Sequence, residues 1–84
     1  MDIVARARGA LAKRFPGAVI EVGLFYGAER VHGYMLWAGF ESMEQIDRQQ
    51  AVYEAIQDEL GPDATRVSII LTYTPEEYAL MKAA

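Results

Sequence analysis

His32 is the only imidazole in this 84-residue chain, and it stands in VHGYMLWA (31–38) with no second histidine nearby and no cysteine anywhere. An imidazole titrates near neutral pH and can carry a proton or ligate a metal. A closed metal site needs several donors, and the residues around His32 supply no such set. His32 is therefore expected to be a structural strand residue, with a ligand or proton-transfer role as the alternative. The arginines are the other chemically distinctive side chains. Arg66 opens RVSIILTYTPEEY (66–78), Arg48 sits in a long polar-apolar segment, and Arg30 follows Glu29 in the short stretch GAER (27–30). A guanidinium presents a planar fork of donors that suits carboxylates and phosphates. Arg66, Arg48, Arg30 and Glu29 are thus the candidate contacts to a protein partner, against the plainer reading of Arg66 as half of a surface ion pair. No nucleophile has an adjacent base, and no two carboxylates stand at a spacing suited to acid–base work, so an enzyme is not expected.

These residues must be positioned by one small domain spanning 1–84. The apolar fraction is 52% and the charged fraction 24%, which is enough apolar material for a core under a polar surface. No apolar run approaches the ~20 residues that cross a bilayer. MDIVARARGALAKRF is broken by Arg6, Arg8, Lys13 and Arg14, unlike a signal peptide, so a cytoplasmic protein is expected. The net charge of −4 is uneven. Residues 1–15 hold four basic side chains and one acidic, a balance of +3, and the remainder holds four basic and eleven acidic, a balance of −7. Nucleic-acid binding draws on many phosphate contacts, so it is the least favoured partner class. The basic segment is expected to be a solvated helix face, with a small anionic docking patch as the alternative.

Apolar residues at 3, 4, 7, 11 and 15 predict a first helix over about 3–14, capped by Asp2 and stopped by Pro16-Gly17. VIEVGLFY (19–26) and VHGYMLWA (31–38) predict two strands joined as an antiparallel hairpin through GAER. Val31, Gly33, Met35 and Trp37 then share one face. Trp37 and Phe40 are expected to pack in the core. In FESMEQIDRQQAVYEAIQDEL (40–60), Ser42 and Gln45 predict a capping box. The polar run Asp47–Gln50 between two apolar stripes predicts a split or bent helix. Gly61-Pro62-Asp63 ends it in a turn. The last strand is expected to alternate strictly, with Val67, Ile69, Leu71 and Tyr73 on one face and Arg66, Ser68, Ile70, Thr72 and Thr74 on the other. Thr74, Pro75 and Glu77 predict a second capping box with proline at the first helical position. Tyr78 and Met81 would fold that helix back on the sheet. The order is α-β-β-α(α)-β-α, an α+β fold with a three-stranded mixed sheet and helices on one face.

That order, with Phe40, Arg48, Val52, Tyr53, Glu59, Leu60, Thr72, Tyr73 and Thr74 in matching places, resembles the BolA family over most of residues 15–78. VIEV (19–22) is similar to that family's first strand. The resemblance implies the class II KH-like arrangement and a non-enzymatic partner of monothiol glutaredoxins. It also implies a shared two-iron, two-sulfur cluster held by a histidine at the start of the last strand. Here Arg66 stands in that place, and a protonated guanidinium has no lone pair for a metal. Where the family has Arg-His-Arg the chain has Arg48-Gln49-Gln50, and GAER holds neither histidine nor cysteine. The expectation is an adaptor that carries no cofactor and no cluster of its own. LFYGAER with a late TPEE is also similar to minimal nucleotidyltransferases, but those hold magnesium with paired aspartates, and the strand GYMLWA has no acid. Two alternatives stand beside the adaptor. One is a homodimer or larger self-assembly through an open sheet edge. The other is a weak KH-like nucleic-acid module, although no GXXG loop is present; the nearest segment is GFESME (39–44).

Overall fold

A computed structural model describes residues 2–24 and 29–84. Helix α1 (Ile3–Arg14) begins where Asp2 accepts a hydrogen bond from the Ala5 amide at 2.8 Å. Lys13 and Arg14 in its last turn face the negative end of the helix dipole. Ile3, Ala7, Ala10 and Leu11 lie on its buried stripe. Strands β1 (Val19–Leu24) and β2 (Val31–Leu36) pair antiparallel, with Ile20 opposite Met35 and Val22 opposite Gly33. Phe25–Ala28, including the expected end of the first strand and the first half of GAER, lie outside the described residues. Gly33 is required by close approach: a Cβ there would sit 2.0 Å from the Glu21 carbonyl oxygen.

After β2 the chain makes a 3₁₀ turn (Ala38–Ser42) and then helix α2 (Gln45–Leu60). Phe40 drives that turn, since its ring is fully buried and packs against Phe15 and Trp37 at centroid distances of 5.4 and 5.3 Å. Trp37 is half-buried in the same cluster and donates to the Pro16 carbonyl at 3.0 Å. The expected Ser42–Gln45 capping box does not form. The N-cap is Glu44, two residues later, and the Gln45 amide reaches Thr72 instead, donating to its carbonyl and accepting from its hydroxyl. The helix is also not split. Asp47–Gln50 continue it without a break: Arg48 and Gln49 reach the Thr72 and Ile70 carbonyls, while Asp47 and Gln50 face solvent. Gly61, with φ of 55°, ends it in a conformation that glycine adopts without a side-chain clash.

A second 3₁₀ turn (Gly61–Arg66) leads to β3 (Val67–Tyr73), so Arg66 closes a turn instead of opening the strand. Because β3 lies parallel to β2, the two need a crossover, and α2 is that crossover. The strand order is β1-β2-β3. The expected strict alternation of β3 is broken by a bulge. Val31 pairs with Val67 but Gly33 pairs with Ile70, so two steps on β2 span three on β3. The extra residue resets the pleat. Val67 and Ile70 both pack on the core, while Ile69 and Leu71 are exposed. Helix α3 (Pro75–Ala83) then starts from the expected capping box, Thr74 with Glu77.

The fold is therefore α+β with a three-stranded mixed sheet and helices packed on it. The core joins Leu11 and Phe15, Val31 and Met35, Phe40, Val52 and Ile56, and Ile70. Tyr78 of α3 reaches the other sheet face and stacks on Tyr34 at 5.2 Å, donating to its hydroxyl at 3.2 Å. Met81 remains exposed.

Candidate binding surface

Parallel pairing of Val31 with Val67 puts the residues just before each strand at one end of the sheet. Arg30 and Arg66 both stand at that end. Arg30 donates from Nη1 to the Thr65 carbonyl at 3.2 Å, across 35 positions of chain. Arg66 is exposed and, among the described residues, its guanidinium donates no hydrogen bond. Its charge reaches Asp63, whose carboxyl is held below the usual carboxylate range first by a hydrogen bond from Arg6 at 2.7 Å. Glu29 lies beside Arg30, exposed, with φ of 53°. A non-glycine residue seldom adopts that left-handed φ.

Arg48 is not part of this end, and its place corrects the expectation that it would face a partner. It is 4% exposed. Its Nη1 and Nη2 grip both carboxylate oxygens of Glu77 at 2.7 and 3.1 Å, its Nε donates to the Met43 carbonyl, and it lies 5.5 Å from the Phe40 ring. A guanidinium removed from water needs this many acceptors to offset its lost hydration. Arg48 thus pins the start of α3 to α2. His32 lies half-buried on the sheet face away from α1 and α2, opposite Gly23. Among the described residues no three of His, Cys, Asp and Glu gather where they could hold a metal ion.

The sequence reading missed a groove. Helix α2 overhangs the free edge of β3, and a space of about 290 Å³ opens between Val52, Tyr53 and Ile56 on the helix and Val67, Ser68 and Ile70 on the strand. Gln49 and Gln57 form part of the same lining, and none of the lining residues is charged. The edge itself is partly covered. Gln49 donates to the Ile70 carbonyl at 3.0 Å and Gln45 to the Thr72 carbonyl at 3.3 Å. On the far edge Arg8 donates to the Val22 carbonyl at 3.3 Å. The available signal was the spacing of Gln45, Gln49, Val52, Tyr53, Ile56 and Gln57, which is one helical stripe. Its member Gln49 fell in the polar run Asp47–Gln50 that looked like an interruption, because its partner, the Ile70 carbonyl, lies 21 positions away.

A second open surface is the outer sheet face. Ile69 and Leu71 are 54% and 43% exposed there, next to Tyr34 and Tyr73, whose rings meet edge-on at 6.5 Å. No protein-family model, no curated protein and no solved structure matches the chain. Among the described residues no helix is long and apolar enough to cross a membrane.

Proposed function

We propose that this chain is a small non-catalytic, BolA-like adaptor that binds a protein partner, a monothiol glutaredoxin being the named candidate, at the end where β2 and β3 begin. One observation carries the reading: Arg30 and Arg66 converge at one exposed end, linked through the Thr65 carbonyl. Among the described residues the Arg66 side chain makes no hydrogen bond or ion pair within 4 Å, although its charge reaches Asp63, so its donor fork is open to a carboxylate or a similar acceptor. Arg66 has no lone pair, so the chain recognises its partner without ligating a cluster. The adaptor works in the cytoplasm. Size-exclusion chromatography of the chain with a cluster-loaded monothiol glutaredoxin tests this. A co-eluting complex weakened by Arg66→Ala is expected, and separate elution of the two proteins at tens of micromolar counts against it.

The exposed Ile69 and Leu71 favour a second reading, self-association through the outer sheet face. Large exposed apolar patches commonly mark interaction sites. Light scattering at millimolar concentration that shows a strict monomer removes this reading.

A further inference from the structure

The α2–β3 groove opens next to the Arg30–Arg66 end, since Thr65 accepts from Arg30 and also lines the groove. We propose that the groove takes an acidic peptide segment of a partner protein, its apolar side chains between α2 and β3 and its carboxylates against Arg66. This deepens the adaptor reading and rests on it.

Three observations select that occupant. The first is size. At about 290 Å³ the groove falls at the bottom of the ~300–1,000 Å³ range of small-molecule pockets, so it suits two or three side chains better than a cofactor. The second is its chemistry. Val52, Ile56, Val67 and Ile70 form an apolar floor, and Tyr53 stands 61% exposed above it. An exposed tyrosine over an apolar pocket is a common anchor at interfaces. The third is charge. The protein carries a net −4, yet no acid lines the groove, and the nearby Asp63 is already paired with Arg6. Arg66, next to the lining residue Thr65, is therefore a cation a ligand meets at that end, while the Arg30 guanidinium donates to the Thr65 carbonyl. Opposite charge steers the encounter and sets orientation.

The mode of recognition follows from the covered edge. Gln49 and Gln45 already occupy the Ile70 and Thr72 carbonyls. A peptide cannot add as a full extra strand without displacing them, so its side chains carry the recognition.

The test is a random dodecapeptide display selection on the whole protein, followed by anisotropy titrations of the enriched peptide with a fluorescent label. The expected enrichment is two apolar residues flanked by Asp or Glu, bound at micromolar Kd and weakened by salt. Ser68→Trp fills the groove from an exposed strand position and Tyr53→Ser removes the anchor, and each should weaken binding at least tenfold. Arg66→Glu should do the same, and Leu71→Lys on the outer face should change nothing. Circular dichroism of each variant establishes that it folds, and the two groove variants act independently. No enrichment, a basic consensus, binding that survives Ser68→Trp and Tyr53→Ser, or loss through Leu71→Lys would overturn the proposal. So would a consensus matching the chain's own exposed α3, which would make the occupant a second copy, or preferential groove binding of a single-stranded RNA oligonucleotide. A glutaredoxin complex indifferent to Ser68→Trp defeats the groove and spares the adaptor reading. A groove peptide without any glutaredoxin complex defeats that named partner and spares the groove.

Discussion

Arg48 holds Glu77 in a two-point grip, Nη1 to Oε1 at 2.7 Å and Nη2 to Oε2 at 3.1 Å, and so ties the middle helix to the start of the last one. The same carboxylate accepts from the Thr74 amide at 2.8 Å. Glu77 is thus at once a helix cap and an ion-pair partner. Its pKa is lowered from 4.5 to about 2, first by the Arg48 hydrogen bond and then by the Thr74 amide.

The pH dependence follows from that shift. In the unfolded chain Glu77 ionises near 4.5, and in the folded chain near 2. Its contribution to stability is complete above about 4.5 and is lost as pH falls toward 2. Asp63 shifts in the same direction through Arg6. Urea midpoints measured from pH 6 to pH 2 should fall through that window, and Glu77→Gln should flatten the fall. An unchanged slope in Glu77→Gln would remove this account.

Geometry and charge can be separated at Arg48. Arg48→Lys keeps the cation but loses the parallel pair of donors. Arg48→Ala removes the cation from Glu77 and a donor from the Thr72 and Met43 carbonyls, leaving Glu77 only its Thr74 cap and Thr72 only Gln45. Melting temperature should drop in the order wild type, Arg48→Lys, Arg48→Ala, the last by several degrees. A Lys variant equal to wild type would mean that charge alone matters.

Phe40 has no exposed surface and joins Phe15, Trp37 and the Arg48 guanidinium. Phe40→Ala should cost about 3–5 kcal/mol in chemical denaturation, the usual loss for a fully buried phenylalanine. A loss under ~1 kcal/mol would place the ring at the surface.

Gly33 tests the register of the hairpin. A methyl group there meets the Glu21 carbonyl and the Val22 Cα, both backbone atoms, so only a shift of β1 relieves the clash. Gly33→Ala should lower the melting temperature and speed amide exchange in β1 more than in β3. Gly9→Ala, with open space at the same test position, is the control and should be neutral or stabilising. Equal effects of the two would contradict the close approach.

Much of the fold was legible because its signals are local. Asp2 reaches an amide three positions on, Thr74 and Glu77 exchange hydrogen bonds across three, and the stripe 3, 7, 11 is a property of one helix. The errors lie where distant partners outcompete local ones. Gln45 looked like the end of a capping box, yet its amide serves Thr72, 27 residues away. Ile69 looked equivalent to Val67 until the pairing with β2 inserted a residue and turned it outward.

The candidate surface divides the same way. Which residues can offer a donor fork, which helix carries an apolar stripe and where the chain turns were all determined by residue type and spacing, since each depends on neighbours within about four positions. Tertiary structure alone decided that Arg48 is buried against Glu77, that Arg30 and Arg66 share one end, and that a groove runs between α2 and β3. Those outcomes depend on which elements pack together, because burial and ion pairing act through space, whereas periodicity records only spacing along the chain.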